Sequence, residues 1–191
     1  MASASQGAAT TLCARSAEGD PVRAFLAIGS NLGDRWGHLA FAIGALHDLD
    51  QGLAVSPVYE TVPVGGPDGQ GPYLNAVVGI DTQLSPHELL ALANEIEAEA
   101  GRVRRERWGS RTLDIDIVVI DGARIDDDVL VVPHPRMGER AFVLAPLEDL
   151  EPSAVPAGWR KRLAEQLTGV KKVGYLLSPE VHASVAGAAK R

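Results

Sequence analysis

TLDIDIVVI, residues 112–120, alternates acidic and apolar side chains before it becomes wholly apolar. Side chains along a β-strand point alternately to opposite faces, so Asp114 and Asp116 share one face while Ile115 lies on the other. Two neighbouring carboxylates beside a core repel each other, and a magnesium ion relieves that repulsion. The alternative is a solvent-facing strand whose acids pair with arginines. Taken alone, so short a motif favours that alternative.

Three earlier apolar runs predict strands at 23–29, 53–60 and 74–81. A helix is predicted after Asp34, and a second begins at a capping sequence from Ser85 and stops at Gly101. The order strand, helix, strand, strand, helix, strand is the split βαβ plan. We therefore predict an α+β fold of the ferredoxin-like type, in which helices pack on a face of an antiparallel sheet.

Beyond the fourth strand, the Asp-Gly turn at 121–122 predicts a short return strand at 123–125. Residues 139–150 predict a helix, and a further helix is predicted near 159–167. The chain is thus expected to consist of three parts. These are a disordered tail at 1–22, one folded domain at 23–152, and an extension at 153–191 that is partly helical and then disordered.

Composition excludes several classes of protein. The chain has 191 residues and a formal net charge of −7, which argues against broad binding to nucleic acid or to an acidic membrane. No apolar run approaches the roughly 20 residues that span a bilayer. The single cysteine, Cys13, permits no internal disulfide, which suits a reducing compartment. These features predict a soluble cytoplasmic protein.

The segment GRVRRERWGSR, residues 101–111, contains five arginines and only one acid, Glu106. An acidic protein that gathers arginines in one loop is expected to bind a small polyanion there. Carboxylates next to guanidinium groups suit a complex of metal and phosphate. Trp108 in the middle of the segment indicates a lid over a planar ligand. The alternative is a solvated run of charge, which is what most such runs are.

Other candidate residues are weaker when taken one at a time. His134 lies between two prolines and precedes Arg140 by six residues, so the two side chains are candidates to share a phosphate. Tyr73 and Asn75 share one face of the third strand, where an aromatic ring and an amide suit a heteroaromatic ligand. Phe142 by itself would be assigned to the core. GSNLGD, residues 29–34, is a strand-to-helix turn whose glycines suit close approach to an anion.

Together these segments resemble the 6-hydroxymethyl-7,8-dihydropterin pyrophosphokinase family of folate synthesis. The resemblance covers about residues 23–152. It rests on GSNLGD (29–34), YETVPVGG (59–66), YLN (73–75), GRVRRERWGSRTLDIDIVV (101–119) and PHPRMGERAFVLAPL (133–147). It implies an αβα ferredoxin-like fold, ATP as co-substrate, two Mg²⁺ ions, and AMP and the pterin diphosphate as products. ATP and the hydroxymethyl dihydropterin are the implied partners, with other folate-pathway enzymes as further candidates.

The same resemblance implies a role for each matching residue. The metal ligands and central catalytic residues are Asp114 and Asp116, and the arginines that engage the transferring diphosphate are Arg102 and Arg111. The contacts to ATP are Arg104, Trp108, Ile117, His134 and Arg140. The contacts to the pterin are Thr61, Val64, Tyr73, Asn75 and Phe142.

The chain departs from the family pattern at Val62, Val64 and Ser110, which affects ring packing and loop motion rather than the reaction. Two rival functions remain open at this point. One is a ferredoxin-like module that binds nucleic acid through Trp108, Tyr73 and the arginines, which the net charge and the Asp pair disfavour. The other is a pterin-binding protein with weakened catalysis, which the intact Asp pair disfavours.

Overall fold

β1 (Val22–Ser30) is an inner strand of the sheet, with strands paired to both of its edges. β4 (Tyr73–Thr82) pairs with one edge and β5 (Asp114–Ile120) with the other, and both are antiparallel to β1. Beyond β4, the computed structural model continues the sheet with antiparallel strands. These are β2 (Ala54–Val55), β3 (Val58–Thr61) and β8 (Val170–Gly174).

The structure describes residues 20–47, 53–63, 67, 69–101 and 109–177. The predicted N-terminal tail lies outside the described residues up to residue 19, and so does the end of the extension from residue 178. No helix within the described ranges has both the length and the apolar character that crossing a membrane would require. The division of the chain at residues 22 and 152 stays a prediction.

Helices cover both faces of the sheet. On one face, α1 (Arg35–His47) and α2 (Pro86–Glu99) pack against the side of β1 that carries Leu26 and Ile28. On the opposite face, α3 (Ala141–Leu150) packs against Phe25, the residue directly before Leu26 in β1. The alternation of side chains along β1 therefore supplies both cores. The antiparallel sheet and its helices confirm the predicted α+β sandwich.

The second predicted strand, 53–60, is wrong as a continuous element. It is divided into β2 and β3 at Ser56 and Pro57. Proline has no N–H to donate to a neighbouring strand. The Ser56 N–H donates to the Val77 carbonyl (2.9 Å), and the Ser56 hydroxyl accepts from the Val77 N–H (2.9 Å). The serine thus satisfies the backbone of β4 where the ladder is interrupted.

The predicted return strand at 123–125 is also wrong. The chain turns after β5, and β6 (Ile125–Asp126) pairs with β7 (Val131–Val132) in a separate two-stranded sheet. The Asp127 carboxylate accepts hydrogen bonds from the N–H groups of Val129 and Leu130, which close the hairpin between these strands. The hairpin follows from this local turn rather than from the Asp-Gly turn at 121–122.

The C-terminal half of the chain differs from the prediction in two helices and in one additional strand. The helix predicted at 139–150 is a 3₁₀ turn (Met137–Glu139) followed by α3, and the helix near 159–167 is two short helices, α4 (Trp159–Arg162) and α5 (Ala164–Leu167). β8 was not predicted. Its sequence, VKKVG, is short and basic because it forms the outer edge of the sheet, where lysines discourage further pairing.

A buried carboxylate connects α2 to β5. Glu97 is only 4% exposed, and its Oε1 accepts a hydrogen bond of 2.7 Å from the Ile115 N–H. β5 is the last strand of the sheet that the described residues form, so no neighbouring strand among them accepts this N–H. Ile115 separates the two aspartates that the sequence singled out, so Glu97 holds the backbone between them.

Glu97→Ala should therefore lower the free energy of unfolding by about 1–3 kcal/mol, since it leaves a buried N–H without an acceptor. Urea denaturation followed by circular dichroism measures the change. Glu95→Ala on the exposed side of the same helix is the control, and its effect should stay within about 0.5 kcal/mol. Equal effects of the two substitutions would contradict the role given to Glu97.

Candidate active site

A cavity of about 280 Å³ opens where the ends of β1, β3, β4 and β5 meet the start of α3. One part of it is charged and the other combines aromatic and neutral polar groups. The charged part contains Arg111, Asp114, Asp116, His134 and Arg140, and the other part contains Thr61, Tyr73, Asn75 and Phe142. Nine residues that the sequence assigned to one site thus line one cavity, although they come from five separate segments.

The two aspartates lie on the cavity side of β5, as the strand pattern predicted. Asp114 is opposite Gly29 and Asp116 is opposite Ala27 in the pairing with β1. Ile115 between them is 5% exposed and packs into the core on the other face. Strand geometry therefore forces both carboxylates into the same cavity.

Positive groups surround this pair. Asp114 forms an ion pair with Arg111. Asp116 Oδ2 accepts a hydrogen bond from Arg140 Nη1 at 3.3 Å. Burial opposes the charge of the Arg111 guanidinium, but the neighbouring Asp114 carboxylate raises the pKa of Arg111 overall. Arg111 therefore stays fully charged in the cavity.

The surroundings of Asp116 oppose its negative charge. Burial raises the pKa of Asp116, and repulsion from Asp114 raises it further, while His134 and Arg140 oppose the rise. The second negative charge is therefore costly even with two arginines nearby. A divalent cation bound by both carboxylates would remove that cost.

His134 is held in a defined orientation. Its backbone N–H donates to the Val118 carbonyl (2.8 Å), and its Nδ1 accepts from the Arg136 N–H (3.0 Å). In the neutral ring the proton therefore sits on Nε2, which lies 4.0 Å from Asp116 Oδ2. Burial lowers the pKa of His134, so the neutral form predominates at physiological pH, with an N–H directed at the charged part of the cavity.

The neutral part of the cavity is organised by Asn75. Its Nδ2 donates to Thr61 Oγ1 at 2.8 Å, and both side chains are buried. A Cβ on residue 29 would lie 3.0 Å from Asn75 Oδ1, so glycine is needed there for the amide to fit. Gly29 thus makes room for a side chain, and the approach of this turn to an anion stays a prediction. Tyr73 and Phe142 provide the aromatic walls.

Asn31 is an important residue whose role the sequence did not reveal. It is 7% exposed and joins three segments. Its Oδ1 accepts from the Arg111 N–H (2.7 Å), and its Nδ2 donates to Gln70 Oε1 (3.1 Å) and to the Gly71 carbonyl (3.3 Å). The signals in the sequence were its position directly after a strand and its place in the GSNLGD motif, and its partners are 39 to 80 residues away.

Five of the predicted site residues are not brought to the cavity by the described structure. Ile117 is 4% exposed and packs into the core, so only its backbone is available to a nucleotide. The other four lie outside the described residues: Val64, Arg102, Arg104 and Trp108. Conversely, Gln70, Glu139 and Gln166 line the cavity although the sequence did not single them out.

The donor set suits magnesium better than a transition metal. Across the described ranges, no group of three or more His, Cys, Asp and Glu side chains is arranged to bind a metal ion. A closed protein site for zinc would need such a group. Mg²⁺ instead takes one or two carboxylates and completes its coordination with water and substrate phosphates. Asp114 and Asp116 fit that requirement.

The chain matches the family model for 7,8-dihydro-6-hydroxymethylpterin-pyrophosphokinase (HPPK) over residues 25–152. This chain belongs to the HPPK family. The Bacillus subtilis 2-amino-4-hydroxy-6-hydroxymethyldihydropteridine pyrophosphokinase is 49% identical over 129 residues, which cover 66% of this chain and 77% of that protein. The family identified from the sequence motifs is thereby confirmed.

Two other relatives are larger than this HPPK chain. The Arabidopsis thaliana "Folate synthesis bifunctional protein, mitochondrial" is 42% identical over 154 residues, 79% of this chain and 27% of that protein. A Plasmodium falciparum HPPK-DHPS triple mutant, crystallised with pteroate, matches with a TM-score of 0.59 and 16% identity. The match covers 82% of this chain and 47% of that one, and it supports the fold alone.

Arg140→Ala should raise the pKa values of both Asp116 and His134. The positive charge of Arg140 favours the ionised carboxylate and disfavours the protonated imidazole, so its removal shifts both groups in the same direction. NMR titration of the ligand-free protein measures both pKa values. Arg136→Ala is the control and should raise mainly the pKa of His134. A fall in either pKa in the Arg140 variant would contradict this electrostatic description.

Proposed function

We infer that this HPPK-family protein transfers diphosphate from ATP to 6-hydroxymethyl-7,8-dihydropterin in folate biosynthesis, giving AMP and the pterin diphosphate. The observation that carries the inference is the division of one cavity into two parts. Two carboxylates and two arginines suit a magnesium–triphosphate complex. Two aromatic side chains and a buried Asn–Thr pair suit a flat ring with polar edges.

In the proposed reaction the pterin hydroxymethyl oxygen attacks the β-phosphorus of ATP. A new P–O bond forms, the bond between the β-phosphorus and the oxygen of the α-phosphate breaks, and the hydroxyl proton is released. AMP leaves with the electron pair of the broken bond. Such a transfer requires chiefly that the two substrates be aligned and that negative charge be stabilised. No nucleophile from the protein is involved.

The charged residues would divide these tasks among them. Asp114 and Asp116 would bind magnesium, which supplies charge neutralisation on the phosphates and lowers the pKa of the attacking hydroxyl. The sequence resemblance suggests two ions. Arg111 would stabilise charge on the transferring diphosphate. His134, through Nε2–H, and Arg140 would donate to the nucleotide phosphates.

The remaining assignments complete the proposal. Tyr73 and Phe142 would flank the pterin, while Asn75 and Thr61 would bind its polar edge. The roles that the resemblance implies are proposed for four further residues: Val64, Arg102, Arg104 and Trp108. Trp108 would lie on a lid over the nucleotide. Ile117 would contribute its backbone.

The location and further partners are also proposals. The Arabidopsis thaliana bifunctional relative supports other folate-pathway enzymes as partners, because the matching segment is part of a longer chain in that protein. The single cysteine, Cys13, remains the basis for proposing a cytoplasmic location.

The deciding experiment incubates the purified protein with ATP, Mg²⁺ and hydroxymethyl dihydropterin and separates the nucleotides by chromatography. Formation of AMP in equal amounts with the pterin diphosphate supports the proposal. Formation of ADP would indicate single-phosphate transfer. Binding of the pterin without any AMP would indicate a binding protein instead of an enzyme.

Asp114→Ala and Asp116→Ala should each abolish AMP formation while the protein stays folded. Each variant loses a ligand for the metal but is relieved of repulsion between carboxylates. Chromatographic detection of AMP and a thermal denaturation curve test the two statements. Asp121→Ala, at an exposed turn beyond the same strand, should keep full activity. Near-normal turnover of either cavity variant would refute the metal assignment.

Arg111→Ala should lower kcat by roughly 10²–10³, the size expected when one preorganised donor to a developing negative charge is removed. Arg111→Lys should recover only part of the rate, because an ammonium group does not reproduce the planar guanidinium. Steady-state kinetics with saturating ATP measure kcat. Arg124→Ala, which removes an exposed arginine near β6, is the control. If both alanine variants lose the same small amount, Arg111 is not at the reaction centre.

A further inference from the structure

Gln166 reaches the cavity from a part of the chain that the family model does not cover. It lies on α5, in the region after residue 152, where the match ends. Its Oε1 accepts a hydrogen bond from the Ala141 N–H (3.1 Å), and its Nε2 donates to the Glu139 carbonyl (3.0 Å). The two hydrogen bonds hold the backbone on both sides of Arg140.

This contact replaces a missing helix cap. α3 begins at Ala141, and the first N–H groups of a helix have no acceptor within the helix. The usual solution is a Ser, Thr, Asp or Asn side chain at the residue before the helix. That residue is Arg140, which makes no capping hydrogen bond with its side chain. The Arg140 side chain is therefore left to extend into the cavity, and Gln166 satisfies the backbone in its place.

The segment that carries Gln166 is firmly attached to α3. The Lys172 ammonium lies 2.7 Å from Asp149 Oδ2, which also accepts a hydrogen bond of 2.6 Å from the Tyr59 hydroxyl. On the other side of α5, Trp159 Nε1 donates to Glu148 Oε1 at 2.9 Å. These contacts fix α4, α5 and β8 against the helix whose start Gln166 holds.

The turn after α5 lies close to one residue of the cavity lining. A Cβ added to Gly169 would lie 3.3 Å from Val62 Cγ2, so the turn approaches the residue that follows β3. Val62 and Gln166 both line the cavity. The C-terminal region thus approaches the cavity at Val62 as well as at Gln166.

We propose that Gln166 is a positioning residue for Arg140, and that residues 153–177 thereby form part of the active site. This inference rests on the proposed function, because Arg140 matters only if it binds the nucleotide phosphates. Gln166 acts by fixing the backbone at 139–141, which sets the direction from which the guanidinium reaches Asp116 and the phosphates. It takes no part in bond making.

The test is a double-mutant cycle on the full chain. Gln166→Met removes both hydrogen bonds while keeping the length of the side chain, and Gln166→Ala is the second variant. The dissociation constant for a non-hydrolysable ATP analogue with Mg²⁺ is measured by calorimetry. Each Gln166 variant should weaken binding by about tenfold, the scale of one or two lost hydrogen bonds. Glu165→Met, at an exposed position on the same helix, should stay within about twofold.

The same substitutions are then made in an Arg140→Ala background. They show whether Gln166 acts by positioning Arg140 or by supporting the structure of the site in general. If Gln166 acts through Arg140, Gln166→Met causes no further loss in that background. A second tenfold loss there, or no loss in the native background, overturns the inference. Formation of AMP by the unmodified protein is scored separately, so failure of the proposed function is distinguished from failure of the role given to Gln166.

Discussion

Repulsion between Asp114 and Asp116 is the constraint around which the candidate site is built. Strand geometry puts the two carboxylates on one face, and burial makes their second charge expensive, which raises the pKa of Asp116. Arg111 and Arg140 each approach one of them, and His134 presents an N–H to the same space. We propose that magnesium, bound together with the nucleotide phosphates, relieves the remaining cost of the second carboxylate charge.

The sheet brings distant parts of the chain to this pair. β1 lies between β5 and β4, so the aspartates of one neighbour and the Tyr73 and Asn75 of the other reach the same end of the sheet. Gly29 makes this possible because a larger residue would displace the Asn75 amide. Asn31, two residues further on, ties the segments that carry Arg111 and Gln70 to the end of β1. One strand therefore aligns the charged part and the neutral part of the cavity.

Two residues outside the cavity's charged cluster support it through its backbone. Glu97 holds the backbone between the aspartates from behind, through the Ile115 N–H. Gln166 holds the backbone around Arg140 from the C-terminal region. Each makes backbone hydrogen bonds that no neighbouring strand or helix cap provides. The backbone on either side of the cavity's charged side chains is thus held by residues from other elements.

Local patterns in the sequence determined the element types, the shared face of Asp114 and Asp116, the capping box at Ser85, and the family through its long motifs. They failed where the outcome depended on partners far along the chain. The alternation of acidic and apolar side chains along β5 is encoded by adjacent residues, whereas the contact of Asn31 with Arg111 spans 80 residues. β8 was missed because a short basic strand becomes a strand only when β3 offers its edge. Glu97 and Gln166 look like ordinary helix-surface residues in the sequence. Only the tertiary structure decided their roles, because a hydrogen bond to a distant backbone group produces no periodic pattern in the sequence.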